Sequence, residues 1–211
     1  STLDRSSAAS DVYKRQDYGA GNLKSIKNAF EYLGYKPFIT NNPKDILLGD
    51  SIVFPGQGSS PKAMSALLRL DIADALKTVI QNGTPFLGIC LGLQTLMSRS
   101  EEGDTACLDI IPGVTRLLPN SVKVPHMGWN QVDLSDSHPA FKDIPPASYF
   151  YFVHSYYADP QDQQTIIGTT NYGLSFCSVL ATGNILATQF HPEKSGPLGL
   201  TIYDNFMKGI G

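Results

Sequence analysis

Cysteine, histidine, tryptophan and excess charge are all scarce in this 211-residue chain, and each scarcity closes off a class of function. Three cysteines, an odd number without framework spacing, exclude a disulfide scaffold and point to a reducing compartment, so a cytoplasmic protein is expected. Apart from His191 the histidines are His126, His138 and His154. Their spacing matches no ligand pattern, and Cys107 and Cys177 are distant from them in sequence. No metal set is expected, and each of the three reads as a satisfied buried or loop histidine. The net charge of −3 gives no basic footprint for nucleic acid. No apolar run approaches the roughly 18 residues of a membrane span, and no secretory apolar segment precedes Asp17. Neither a Gly-Lys-Ser/Thr phosphate loop nor a Gly-x-Gly-x-x-Gly fingerprint follows a strand, so no cofactor is expected. Repeats, low-complexity tracts and a convincing linker are also missing.

What remains is the pattern of a globular domain of ordinary size, with 42% hydrophobic and 17% charged residues and length enough for a substantial core. Residues 1–16 are polar and Ser-rich, and read as a non-native or disordered leader, so the domain is expected to span 17–211. Asp17-Tyr18-Gly19-Ala20-Gly21-Asn22 reads as a turn with Asn22 as N-cap. The helix after it carries Leu23, Ile26, Ala29, Phe30 and Leu33 on one face and stops at Gly34. Strand signals over 36–40, 51–54 and 85–89 alternate with helical ones over 43–48, 59–70, 72–82 and 91–97. That alternation predicts an α/β fold with a mostly parallel central sheet and helices on both faces. After residue 110 the strand-like runs 114–118, 131–134, 149–153, 165–170, 174–180 and 184–190 predict additional antiparallel strands, and a last amphipathic helix spans 199–210.

Two stretches carry chemistry. Gly88-Ile89-Cys90-Leu91-Gly92 puts a thiol where a buried strand turns sharply into a helix, with glycines two places to either side removing the side chains that would block the turn. A thiol there faces a helix N-terminus, which favours thiolate. A small buried hydrophobe is the other fate of such a cysteine. Gln189-Phe190-His191-Pro192-Glu193 supplies an imidazole with a carboxylate two residues on, on the same side of an extended segment stiffened by Pro192. Together these are a nucleophile, a base and a group that orients the base.

Three further runs narrow the reading: Pro125-His126-Met127-Gly128-Trp129-Asn130, Tyr151-Phe152-Val153-His154-Ser155-Tyr156-Tyr157 and Gln189 through Gly196. With the two motifs above, the chain from Asp17 onward resembles the class I glutamine amidotransferases, and within them the glutaminase subunits of imidazole glycerol phosphate synthase. That resemblance implies glutamine hydrolysis through a thioester on Cys90, with His191 as general acid and base and Glu193 holding His191. It implies an oxyanion hole from the Leu91 N–H and the Gly56-Gln57 peptide. Substrate contacts would come from Gly58, Gln94, Glu102, Ser155 and Tyr156. The implied partner is a cyclase subunit with a (β/α)-barrel fold, forming a heterodimer that uses the released ammonia in histidine biosynthesis. Trp129, Tyr151 and Lys194 are the candidates for the docking face. Gln57 departs from the family pattern, where a small or branched apolar residue is usual. Two other readings stand beside this one: another cysteine hydrolase of the same fold, such as a γ-glutamyl hydrolase or peptidase, and a non-catalytic scaffold for the cyclase.

Overall fold

A computed structural model describes the protein at residues 13–16, 23–56, 58–135 and 138–209. The chain opens with β1 (Tyr13–Gln16), α1 (Leu23–Tyr32), β2 (Pro37–Thr40), α2 (Pro43–Leu47), β3 (Ile52–Gly56), α3 (Ser60–Arg69) and α4 (Ile72–Gln81). It continues through β4 (Phe86–Cys90), α5 (Leu91–Gln94), β5 (Arg99–Ser100), β6 (Thr105–Ala106), β7 (Gly113–Leu117), β8 (His126–Leu134) and β9 (Ser148–His154). It closes with β10 (Tyr156–Pro160), β11 (Ile166–Asn171), β12 (Ser175–Thr182), β13 (Ile185–Thr188) and α6 (Gly196–Gly209).

Among the described residues, nine strands form one sheet in the order β2-β1-β3-β4-β13-β12-β11-β8-β9. The first five run parallel, and from β12 outward every pairing is antiparallel. A second sheet, β10-β7-β5-β6, lies beside it. The α/β reading therefore holds, parallel half first and antiparallel half after.

Residue alternation explains the layers. On β3, β4 and β13, Val53, Leu87, Ile89 and Leu186 point to one core with Ile26 and Phe30 of α1 and Ile202, Tyr203 and Phe206 of α6. Their neighbours Ile52, Phe54, Phe86, Ile185 and Ala187 point to the other core, with Ile46 of α2, Met64 and Leu67 of α3 and Leu76 and Val79 of α4. Strands buried on both faces need continuous apolar runs, and these have them. At the end of α1 the Tyr35 N–H bonds the Phe30 carbonyl at 2.9 Å around Gly34 at φ +89°, a left-handed cap that favours glycine.

The structure departs from the sequence reading in several places. Helical spacing over 91–97 predicts a helix to Met97, yet α5 ends at Gln94. The N–H groups of Leu96 and Met97 bond the carbonyls of Leu93 and Gln94, three residues back, so the α-helical ladder gives way to a tighter turn. The carbonyls of Thr95, Leu96 and Met97 then accept from Leu108, Ile110, Ile111 and Asp109. β10 was not anticipated. Its partner β7 lies some forty residues earlier, and a run ending in Asp159-Pro160 gives little local strand signal. β8 begins at His126, five residues before the expected start, because its first half pairs in full with β9. β1 takes up the last four residues of the stretch expected to precede the domain, pairing with β2 and β3 through the backbone. Residues 1–12, the turn 17–22 with its proposed Asn22 cap, and Gln57 lie outside the described residues. No helix among the described residues is long and apolar enough to cross a membrane.

Candidate active site

β4 lies between β3 and β13 inside the parallel half, and delivers Cys90 at its C-terminal end. There the chain turns into α5 with Cys90 at φ 55°, ψ −108°, a conformation that costs a non-glycine residue about 1–3 kcal/mol. The flanking glycines are required by space. A Cβ on Gly92 would stand 2.0 Å from the Phe54 carbonyl oxygen, and one on Gly88 would stand 3.2 Å from both the Ala187 Cβ and the Gly92 oxygen. The tight turn holds the sulfur at the sheet edge, where Cys90 keeps 8% of its surface. Because α5 is only four residues long, it offers little helix dipole, and the thiol's chemical partner is a neighbouring imidazole.

That imidazole comes from the adjacent strand. β13 pairs in parallel with β4, Thr188 against Ile89, so the residues that follow each strand emerge side by side. His191 is held by its N–H on the Tyr151 carbonyl at 2.9 Å, and the Ser195 hydroxyl donates to the His191 carbonyl at 2.7 Å. Pro192–Lys194 then form a single 3₁₀ turn that brings Glu193 back under the ring. His191 Nδ1 lies 2.8 Å from Glu193 Oε1, with both side chains almost wholly buried. A carboxylate only accepts, so Nδ1 carries the proton and Nε2 is left for the sulfur of Cys90, which lines the same cavity. Burial pushes the His191 pKa down, but the charge and hydrogen bond of Cys90, with those of Glu193, push it up further, so the net shift is upward. Burial likewise raises Glu193, and its bonds to His191, to its own amide and to the Tyr203 hydroxyl overcome this and leave its pKa lowered.

A cavity of about 400 Å³ opens over the sulfur. Gly56, Gly58, Leu91, Gln94, Glu102, Ser155 and Tyr156 line it. Gly58 sits at φ +86°, which only glycine adopts without strain. Gln94 Nε2 donates to the Tyr156 carbonyl at 2.6 Å and to Gln189 Oε1 at 3.2 Å, and the Gln189 amide points its Nε2 at Cys90 Sγ, 3.6 Å away. Glu102 Oε2 accepts from the Ser60 N–H at 2.6 Å, which fixes the carboxylate at the cavity rim. Every described residue expected at the site therefore lines this one cavity or stands directly behind it. The chemistry the geometry permits is acyl transfer on a buried thiol with an oriented base.

The family model of class-I glutamine amidotransferases matches residues 15–210. The chain belongs to the class-I glutamine amidotransferases. It is 47% identical over 193 residues to the imidazole glycerol phosphate synthase subunit HisH of Dehalococcoides mccartyi strain CBDB1, covering 91% of this chain and 94% of the relative. To the HisH subunit of Methanosarcina acetivorans it is 46% identical over 196 residues, covering 91% and 96%. A solved glutamine amidotransferase superposes with a TM-score of 0.74 at 13% identity, covering 94% of this chain and 98% of that one, a likeness of fold alone. The protein is thus an enzyme, a HisH-type amidotransferase with a role in histidine biosynthesis.

The amidotransferase's three expected docking residues meet on one surface beside the cavity. Trp129 and Tyr151 are direct cross-strand partners on β8 and β9, with ring centroids 6.1 Å apart, and the Lys194 ammonium stands 5.8 Å from the Tyr151 ring centroid. Trp129 is 55% exposed and so is not a core residue. Met127 and Tyr149, exposed on the same pair of strands, widen the patch. Sequence reasoning missed Tyr203, which donates to Glu193 Oε2 at 2.9 Å from α6 while stacked on Phe30. It also missed Ser195, which ties the backbones of His191 and Tyr151 together. Tyr203 carries no local signal because it reaches across the fold, and Ser195, though inside the Gln189–Gly196 run, shows its role only through its bond to Tyr151.

Proposed function

We propose that this amidotransferase hydrolyses glutamine at Cys90 and passes the ammonia to a cyclase subunit docked over the cavity. Cys90 Sγ attacks the side-chain amide carbon of glutamine, and His191 transfers the thiol proton to the leaving nitrogen, so that ammonia departs and a γ-glutamyl thioester remains. His191 then draws a proton from water, whose oxygen attacks the thioester carbon, and the released sulfur takes the proton back as glutamate leaves. Glu193, anchored by Tyr203, keeps His191 in the tautomer that faces the sulfur. The Leu91 N–H and the Gly56-Gln57 peptide serve the oxyanion, where loss of one donor raises the barrier by about 2.7–4 kcal/mol. The orientation of the loop that holds Gln57 is accordingly a natural point of control. Gly58, Gln94, Glu102, Ser155 and Tyr156 hold the substrate in a cavity whose 400 Å³ suits a small amino acid.

The observation that carries this reading is that Cys90 and His191 line one cavity while His191 Nδ1 is held 2.8 Å from Glu193 Oε1. The exposed Trp129, Tyr151 and Lys194 surface supports a docked partner, since aromatic side chains anchor interfaces. The relatives' description as synthase subunits supports a heterodimer with a cyclase, for which we propose the (β/α)-barrel fold and the conversion of a ribulosyl nucleotide to imidazole glycerol phosphate. Three free thiols fit a cytoplasmic enzyme. The test is to mix the protein with a cyclase subunit and assay glutamate with and without the nucleotide substrate. Glutamate release that is lost in Cys90→Ala is expected. Turnover of γ-glutamyl peptides by the isolated chain would instead favour the peptidase-like reading, and full activity in Cys90→Ala would leave a scaffold.

A further inference from the structure

Two buried histidines outside the reacting series form a hydrogen-bonded chain that ends on the cavity wall. His126 Nδ1 lies 2.9 Å from His154 Nε2, and His154 Nδ1 lies 2.8 Å from the Tyr156 carbonyl oxygen. Asn130 Nδ2 stands 3.3 Å from His126 Nε2. The two rings are only 3% and 5% exposed.

The direction of every bond in this chain can be worked out. Asn130 Oδ1 accepts from the Gln131 N–H at 2.8 Å and Asn130 Nδ2 donates to the Asn171 carbonyl at 3.1 Å, so the amide has one orientation. Its N–H therefore points at His126 Nε2, which must be the bare nitrogen. His126 Nδ1 then carries the proton and donates to His154 Nε2. At the other end a carbonyl oxygen only accepts, so His154 Nδ1 carries a proton too. Both rings are neutral with single tautomers, and the chain runs Asn130 to His126 to His154 to Tyr156 without a conflict. A proton added to either ring would set two N–H groups against each other at one link. Burial acts in the same sense, pushing His154 down to about 3 and His126 to about 4.

The receiving carbonyl sits at a corner. β9 ends at His154 in the large sheet and β10 begins at Tyr156 in the small one, so the chain changes sheets at Ser155. The Tyr156 carbonyl takes two side-chain donors there, His154 Nδ1 and Gln94 Nε2. Ser155 and Tyr156 line the same cavity as Cys90.

We infer that His154, locked in one tautomer by His126 and Asn130, is a positioning residue that fixes the Ser155–Tyr156 corner for glutamine binding. This rests on the glutaminase reading above. His154 does not touch the reacting atoms, so its loss falls on substrate affinity and leaves the chemical step largely intact. His126 sits on β8, whose next residues outward, Met127 and Trp129, belong to the exposed patch, so the chain also ties the docking strand to the substrate wall.

The experiment compares glutamate release by the wild-type complex with cyclase against complexes carrying His154→Phe, His154→Asn and His126→Phe. Phe fills the ring's place among Phe152 and Phe176 but donates nothing, whereas Asn keeps a donor near the Nδ1 position. His154→Phe is expected to raise KM for glutamine about tenfold, the factor for one lost net hydrogen bond, with kcat within about threefold. His154→Asn restores most of the KM, and His126→Phe gives a smaller rise. Thermal unfolding and complex formation confirm that each variant is folded. A KM unmoved in folded His154→Phe, a fall confined to kcat, or the same KM defect in His154→Asn overturns the positioning role while leaving the glutaminase reading in place. A wild-type complex that releases no glutamate overturns both.

Discussion

Cys90 combines a strained backbone with a base, His191, that Glu193 and Tyr203 hold from behind, and the division of labour between those two can be measured. Glu193 accepts from His191 and Tyr203 and lies in an almost dry pocket, so Glu193→Gln exchanges a carboxylate for an amide that tolerates the wrong imidazole tautomer. That change is expected to lower kcat by about 10²–10⁴ with KM for glutamine little altered, as steady-state glutamate assays would show. Tyr203→Phe removes one donor to a buried charge and should cost about 1.5–3 kcal/mol of stability in urea unfolding, with a smaller loss of kcat than Glu193→Gln because His191 still holds the carboxylate.

At the scale of elements, the elbow depends on how closely α5 approaches β3. A Cβ on Gly92 would stand 2.0 Å from a backbone oxygen, which has no rotamer with which to yield, so strand and helix must move apart. Gly92→Ala is therefore expected to destabilise the fold by about 1–3 kcal/mol or more and to lose glutaminase activity by displacing Cys90. Gly34→Ala makes a contrasting control. It meets nothing within 4 Å and strains only φ, a penalty of about 1–2 kcal/mol with activity retained. Parallel urea titrations and glutamate assays separate the two outcomes.

The whole molecule carries titrating groups of opposite sign, which predicts where it is most stable. His126 and His154 have pKa values lowered from 6.5, so below that pH the unfolded chain binds protons that the folded one refuses, and stability falls as pH drops toward 4. Glu193, lowered from 4.5, adds to the acid limb, since its contribution is present above 4.5 and lost as pH falls through the folded value. His191 is raised from 6.5, so its contribution is complete below 6.5 and is lost as pH rises through the folded pKa. The melting temperature should therefore peak near pH 6.5 and fall on both sides, and His154→Phe should make the acid limb shallower. A profile still rising at pH 5 would contradict the assignment. At the same scale, Trp129→Ala should weaken the complex with the cyclase by about 2 kcal/mol or more in calorimetry, while the isolated chain keeps its melting temperature because this side chain is largely in solvent.

The residue types at the reacting centre were legible in the sequence because acyl transfer needs them at short range. Glycines two places either side of Cys90 announce a sharp turn, and His191 and Glu193 two residues apart need only a local turn to meet. Apolar runs such as Phe86-Leu87 and Ile185-Leu186 announced strands buried on both faces, and hence the parallel half of the sheet. Tertiary structure alone decided which distant polar atoms meet. Tyr203 reaches Glu193 because α6 packs beneath the 3₁₀ turn. The N–H groups of Leu96 and Met97 turn to carbonyls three residues back while residues 108–111 take the carbonyls that follow, and α5 ends short of its periodic signal. His126 and His154, separate loop or core histidines by sequence, become one chain because β8 and β9 pair in that register. A hydrogen bond is satisfied by whichever donor the fold brings within about 3 Å, and sequence separation places no limit on that choice.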